Sequence, residues 1–488
     1  MGQTEGGHVG VFAEGLFAPG EERSAERRLF LAATAALSLV LMAGTEMNSH
    51  VFPLFDPIFT FARDISVTAH AVSLLVLGVV AYAYAKVLTP RSFAGLSFAF
   101  LIAGAVGLSA SLVAASPLLL TLSASVCAIG RAGASLLVCL ALVLLPFRAQ
   151  VLAICAAYLL QSAGQLITPF IPSLVSLGFF QLFPLFALLL VVRPGAEVMG
   201  RACAHEAPRD LSVVRPASFV APFSTLFVCL FLFQAAFGFA LRFGEVDGAS
   251  PFMNLNWLFV IALSTLALKG GKWFSMDGAV SFAALAVVGG FLLVLSGNPF
   301  YDSGAVVLLN GGNSLFSMVS RMVLVAIAAR NVAGSVTVLA WGLGVTSLGS
   351  LVGAAAAMLC NHSAQANYQL HFVLPALFLI VFVAYMFFVM RNFSFSGAVA
   401  EVEPLTLAPS AAAQQESFQE KCLSIGQRFG LSPREQEVFA MLARGRDRAY
   451  IEADLVVSKN TAKAHVKHVY AKLGIHSHQE LLDLVEKG

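Results

Sequence analysis

Long apolar runs alternate with short polar interruptions over most of the chain. The runs begin near Leu29, Val67, Phe93, Leu118, Val151, Ser173, Phe219, Phe252, Val280, Ala305, Val332 and Phe372. Each is close to the ~20 mainly apolar residues that a helix needs to cross a bilayer. The pattern predicts about twelve transmembrane helices, since a lipid-exposed backbone must satisfy its own polar groups. The longest polar interruption, Arg193 to Pro216, divides them into six plus six. Beyond Arg391 the pattern changes. Asn392 to about Glu416 reads as a Pro/Ala/Ser/Glu linker without apolar periodicity. Phe418, Cys422, Ile425 and Phe429 are then spaced for one face of a short helix. The last stretch, from Leu431, is charged and compact, and reads as a second domain.

Composition agrees with a membrane body. Of 488 residues, 58% are hydrophobic and 11% charged, against ~45–50% and ~25% in soluble domains. The net charge of +2 says little, but its placement is informative. With the N-terminus inside, the alternating loops assign Arg23, Arg27, Arg28, Lys86, Arg91, Arg148, Arg193, Arg201, Arg209, Arg215, Lys269, Lys272, Arg330 and Arg391 to the cytoplasm. Arg63 and Arg242 fall outside, among Asp56, Asp64, Glu245, Asp247 and Asp302. That asymmetry follows the positive-inside rule. It predicts a multi-pass membrane protein with both termini cytoplasmic; in a bacterium that membrane is the cytoplasmic (inner) one. Met1 to Glu26 is polar and mixed in charge, and does not read as a cleavable signal peptide. The seven cysteines form no CxxC pair and no metal-ligand spacing. No disulfide framework, zinc site or cofactor is expected.

The tail divides at its helix caps. Ser432-Pro433-Arg434-Glu435 reads as a capping box with proline at the first helical position. The helix that it opens carries Val438, Met441 and Leu442 on one side and stops at Gly445. A second helix spans roughly Arg448 to Leu455, and Val456-Val457 forms a tight connection. A third helix opens at Ser458 and ends at Leu473-Gly474. Ser477 and Glu480 start the last one, with Leu481, Leu482 and Val485 apolar. On the third helix Lys459, Lys463 and Lys467 recur every four residues and share a face. Asn460, Ala464 and His468 flank it, and Ala462, Val466, Val469 and Leu473 lie opposite. Spacing alone leaves two readings open: a face for the DNA major groove, or a solvated lysine face.

A resemblance distinguishes these readings. Leu431-Ser-Pro-Arg-Glu-Gln-Glu-Val438, Gly445, Ile451, Leu455, the run Ser458 to His468, and Tyr470-Ala-Lys-Leu-Gly474 resemble the LuxR/GerE/FixJ-type helix-turn-helix family, in order and at its spacing. The resemblance implies that Ser458–Leu473 enters the major groove of double-stranded DNA. It implies a homodimer on DNA through the last helix, and contact with RNA polymerase if the protein is an activator. By position, Lys463, Ala464 and Lys467 correspond to base-reading residues. Ser458, Asn460, Thr461 and His465 correspond to residues that set the helix start and contact the backbone. With Lys459 and His468 they form the expected DNA-binding set. Glu452 and Ala462 depart from the small residue and valine usual at those positions.

Inside the expected spans stand two arginines, Arg131 in the fourth and Arg321 in the tenth, at equivalent places of a six-plus-six repeat. Intramembrane charge is costly and usually serves function. Two guanidinium groups suit a small anionic ligand such as a carboxylate. The alternative is an internal salt bridge of Arg131 with Glu46 of the first helix. Arg131, Arg321 and Glu46 are thus the ligand-site candidates, and Gln161, Gln165, Asn310 and Asn313 are either polar liners or helix-packing contacts. Helix count, central loop and pseudo-symmetry resemble the major facilitator superfamily. The loop Ala85–Ser92 lacks that family's Gly/Asp/Arg/Lys-rich signature.

The expected fold class is all-α: a polytopic membrane bundle of about twelve transmembrane helices with a C-terminal four-helix helix-turn-helix domain. The expected boundaries are 1–391 for the membrane body, 392–425 for the linker and 426–488 for the DNA-binding domain. No nucleophile–base constellation, phosphate loop or metal-ligand run points to an enzyme. The function expected is a membrane-anchored transcriptional regulator that senses a small molecule or envelope signal. The alternative is a facilitator-type transporter with a regulatory tail.

Overall fold

The structure is a computed structural model. It describes residues 22–204, 224–243, 255–269, 275–296, 299–366, 370–402, 422–443, 448–455, 458–475 and, in the last helix, 477, 480, 481 and 484. The chain forms two compact units, Met1–Thr406 and Leu407–Gly488.

The first unit is a helical bundle. Its helices are α1 (Glu22–Glu46, carried on through a π-turn at Met47–Val51 to Phe55), α2 (Ala62–Ala83), α3 (Pro90–Ala114), α4 (Pro117–Val143), α5 (Phe147–Ile167) and α6 (Ser173–Ala204). Then come α7 (Thr225–Phe243), α8 (Asn256–Lys269), α9 (Met276–Leu295), α10 (Pro299–Arg330), α11 (Ser335–Ala366) and α12 (Leu370–Phe388). Among the described residues ten helices are long and apolar enough to cross a membrane. The two shorter apolar ones are Trp257–Ala267 and Phe372–Phe388.

The packing pairs repeat with a shift of six helices. α3 packs on α4 as α9 does on α10, and α1 on α5 as α7 does on α11. The halves join through α2 with α11 and, by the same pseudo-symmetry, α8 with α5. Small residues allow this closeness. A side chain on Gly130 of α4 would put its Cβ 2.7 Å from the Leu101 nitrogen of α3. One on Gly353 of α11 would collide with the Ala235 carbonyl of α7. Such stripes replace the hydrophobic driving force that lipid withholds. α4 and α10 are the most enclosed of the long helices.

Two segments depart from the sequence expectation. α6 does not stop at Arg193 but runs through Pro194 to Ala204, with Glu197 and Arg201 paired one turn apart. The segment after Arg391 does not leave the bundle at once. A short helix, α13 (Phe395–Glu401), lies back on it. Ser394 caps α13, while Ser394, Ser396 and the backbone N–H of Phe395 all donate to Asp277 at the start of α9, at 2.9, 2.7 and 2.6 Å. Arg330, at the end of α10, donates to the Val402 carbonyl at 3.0 Å. Phe395 and Val402 are buried in the core of the bundle. Aspartate near a helix N-terminus already favours the dipole, and here its two oxygens also hold the returning chain.

The second unit has its own core. Residues 422–428 are helical, followed by α15 (Pro433–Ala443), α16 (Arg448–Leu455) and α17 (Lys459–Leu473), with the 422–428 helix taken as α14. Cys422, Ile425, Val438, Phe439, Leu442, Ile451, Val466, Val469, Leu473 and Leu481 close one hydrophobic cluster. Phe418, Gly445, the Val456-Val457 connection, Leu482 and Val485 lie outside the described residues. All seven cysteines of the chain are buried thiols.

Candidate nucleic-acid interface and membrane cavity

α17 begins and ends by local chemistry. The Ser458 hydroxyl accepts from the Thr461 N–H at 3.3 Å, capping the first turn. At the other end Gly474 sits at φ +69°, a left-handed conformation that glycine adopts without strain. The Ile475 N–H reaches the Tyr470 carbonyl at 3.1 Å and the Gly474 N–H reaches Ala471 at 3.4 Å, a Schellman closure.

Between the caps the helix is two-sided. Ala462, Val466, Val469 and Leu473 are buried, and the Ala462 methyl is fully covered. Ser458, Lys459, Asn460, Thr461, Lys463, Ala464, Lys467 and His468 are exposed, and His465 is half-buried. Lys459, Lys463 and Lys467 form a continuous exposed cationic stripe along the helix. Glu452, on α16, is half-buried.

The other helices hold α17 in place. Ser432 and Glu435 form a reciprocal capping box at the start of α15: the Ser432 N–H donates to Glu435 Oε2 at 2.8 Å, and the Glu435 N–H to Ser432 Oγ at 3.4 Å. Lys472 Nζ also donates to Glu435 Oε2 at 2.7 Å and to the Gly430 carbonyl at 3.0 Å. His468 Nδ1 lies 4.0 Å from Glu435. The Lys472 ammonium, with the Ser432 N–H, pulls the Glu435 carboxyl down to about 2. Arg434 donates to the Leu455 carbonyl at 3.0 Å, closing the end of α16. Sequence spacing showed the capping box; it did not show Lys472 or Arg434 as contacts between helices, because those pairs are distant along the chain.

In the membrane unit a cavity of about 430 Å³ lies between the halves. Arg131 and Arg321 both line it, as do Gln161, Gln165, Asn310 and Asn313. The first half adds His70 and Tyr158, the second Gln234 and Ser347, four residues that the sequence did not single out. Arg131 donates to Met47 Sδ and to Ser66 Oγ, both at 3.0 Å, and its guanidinium lies 4.8 Å over the Phe180 ring. Arg321 donates to Cys139 Sγ at 3.6 Å and stands against the Tyr158 hydroxyl. Gln234 Nε2 donates to Asn313 Oδ1 at 3.1 Å and to Ser317 Oγ at 2.9 Å, and His70 Nδ1 is 3.2 Å from Ser347 Oγ.

Glu46 is placed elsewhere. It lines a neighbouring, mostly apolar groove between α1, α5 and α6. Its Oε1 accepts from the Thr168 hydroxyl at 2.8 Å, and Oε2 is 3.7 Å from His50 Nδ1. The structure brings the two arginines into one cavity and leaves Glu46 outside it, so the Arg131–Glu46 salt bridge is not formed. At another point of contact between the halves, Asp64 at the start of α2 receives Arg242 at the end of α7, at 2.8 Å.

Comparison with known proteins accords with both units. Residues 430–485 match the family described as "Bacterial regulatory proteins, luxR family". No curated protein matches the chain. The structure of a double-tryptophan mutant of XylE superposes with a TM-score of 0.55 at 12% identity, covering 78% of this chain and 99% of that one. The proton:xylose symporter XylE bound to 6-bromo-6-deoxy-D-glucose gives 0.52 at 13%, with coverage of 78% and 99%. The E. coli fucose:proton symporter FucP gives 0.50 at 12%, with coverage of 74% and 98%. At such identities the likeness is one of fold. The chain therefore joins a membrane bundle of the major facilitator fold to a C-terminal helix-turn-helix domain of the luxR regulator family.

Proposed function

We propose that this chain is a membrane-anchored bacterial transcription regulator. Its α17 enters the DNA major groove, and its membrane bundle receives the controlling signal. The observation that carries the reading is α17 itself. An exposed lysine stripe with Asn460 and His468 beside it lies over a buried Ala462/Val466/Val469/Leu473 face, within the segment that matches the luxR family. Lysines at this spacing neutralise phosphates and meet guanine edges, and the helix N-terminus at Ser458 adds backbone donors for a phosphate. Both termini are cytoplasmic in this reading, in the bacterial inner membrane, which gives the tail access to the chromosome. The tail binds as a homodimer, and touches RNA polymerase if it activates.

The facilitator fold favours a second reading, a transporter whose tail regulates it. The two separate on one pair of measurements. The full chain in nanodiscs is tested for binding to DNA upstream of its own and neighbouring genes, and cells that lack residues 432–488 are tested for the transcriptional response. The regulator reading expects salt-sensitive, sequence-selective binding and loss of the response. Substrate flux that survives the truncation, with no DNA binding by the full chain, would establish the transporter instead.

A further inference from the structure

We propose that the cavity between the halves takes a small hydroxylated organic dianion with two separate anionic groups, one held by Arg131 and the other by Arg321. This rests on the reading of the membrane bundle as the ligand-receiving part.

The case begins with charge. Arg131 comes from α4 and Arg321 from α10, the two most enclosed long helices, one in each half. Among the described residues that line the cavity there is no aspartate or glutamate. Two acids of the bundle are engaged elsewhere: Glu46 accepts from Thr168 in the adjoining groove, and Asp64 is paired with Arg242. The partners that the two guanidinium groups do have are neutral: a thioether, a hydroxyl and an aromatic face for Arg131, a thiol and a phenol for Arg321. Sulfur is a weak acceptor, and the Nε of each arginine is buried without any hydrogen-bond partner. Two cations held in a membrane protein without a counter-charge are costly, and an incoming anion is what relieves that cost.

The separate surroundings of the two arginines favour two anionic groups over one. The arginines share no hydrogen-bond partner, and each is fenced by its own set of side chains. Two anionic groups on one molecule would give each guanidinium its own charged partner. A volume of about 430 Å³ lies in the range of small-molecule sites, ~300–1,000 Å³. Between the two ends the walls are polar but uncharged. Asn310 Oδ1 is buried and unpartnered there and wants a donor. Gln161, Asn313 and Gln234 present further amide groups. A hydroxylated carbon skeleton between two carboxylates meets each of these requirements, and bidentate guanidinium–carboxylate contacts suit its ends.

The test uses the full chain in nanodiscs of neutral lipid, followed by thermal unfolding and calorimetric titration. The probes are malate and tartrate, lactate as the monocarboxylate, glycerol 3-phosphate as a single phosphomonoester, and erythritol as the neutral polyol. The expected result is stabilisation by malate or tartrate, at least tenfold weaker binding of lactate, and none of erythritol. Arg131→Gln and Arg321→Gln are each expected to weaken the dicarboxylate at least tenfold. In low-salt buffer without any probe, both variants are expected to unfold at the same temperature as the parent or higher, since an uncompensated charge has been removed.

Several results would overturn the proposal. A lower unfolding temperature of both variants without probe would make the arginines structural. Tighter binding of glycerol 3-phosphate than of both dicarboxylates would remove the two-group assignment, and failure of every dianion to bind would remove the site. DNA binding is measured in the same preparation. Its loss with dianion binding intact would sink the regulator reading and leave this one standing.

Discussion

Lys472, in the last turn of α17, donates to the carboxylate of Glu435, in the first turn of α15, at 2.7 Å. The same carboxylate caps α15 through the Ser432 N–H. One buried acid thus fastens the helix that carries the lysine stripe to the helix behind it. Because the carboxyl is pulled from 4.5 to about 2 in the folded domain, its contribution is present above pH 4.5 and is lost as pH falls from 4.5 towards 2. Thermal unfolding of the tail, followed by circular dichroism, is expected to weaken over that window. Glu435→Gln should flatten the dependence and cost about 1–2 kcal/mol at pH 7.

The lysines of α17 are expected to act on DNA and not on folding. Lys463→Ala and Lys467→Ala should each leave the unfolding temperature unchanged, lower affinity, and reduce the slope of log K against log salt by about 1 if the lysine sits on phosphate. If it reads a base edge instead, the loss falls on the preferred sequence, by about 1–3 kcal/mol. A titration at several salt concentrations, on target and unrelated DNA, separates the two.

The core of the tail includes Phe439, which is fully covered and belongs to the one cluster that α17 and the 422–428 helix also enter. Phe439→Ala is expected to cost about 3–5 kcal/mol, enough to unfold much of a small domain at ambient temperature. A cooperative unfolding curve close to the parent's would contradict that.

Asp277 makes a prediction for the membrane unit. Asp277→Ala removes the acceptor of Ser394, Ser396 and the Phe395 N–H together. Hydrogen exchange in residues 395–402 should rise by an order of magnitude or more, while α4 and α10 stay protected. Unchanged exchange there would mean that burial of Phe395 and Val402 holds the segment without the acid.

Much of this was legible in the sequence, and the misses share a cause. Helix starts in the tail were readable because caps are local: Ser432 with Glu435, and Ser458 before Lys459. The apolar runs gave the bundle because hydrophobic length is a property of consecutive residues. The polar stretch from Arg193 to Pro216 reads as a loop after the sixth apolar run. α6 continues because Gly195 lets it approach the Leu137 carbonyl of α4, where a Cβ would lie 2.6 Å away. Residues 395–402 showed no periodicity of their own, and their place is set by Asp277, more than a hundred residues earlier. His70 and Tyr158 are single polar residues in apolar runs, and nothing in their neighbourhoods says that they meet Ser347 and Arg321. The pairing of Glu46 with Thr168 in place of Arg131 is likewise a matter of three-dimensional position.

α10 carries two of these features on one rod. Arg321 lines the cavity, and Arg330, nine residues on, grips the Val402 carbonyl. At 1.5 Å per residue the two stand about 13–14 Å apart along the axis. One uninterrupted helix therefore joins the cavity lining at Arg321 to the Val402 carbonyl. On the proposal that a ligand occupies the cavity, any shift or rotation of α10 on binding would reach residue 402 without passing through a loop. Linkage then works in both directions: if a ligand alters affinity for DNA, DNA must alter affinity for that ligand by the same factor.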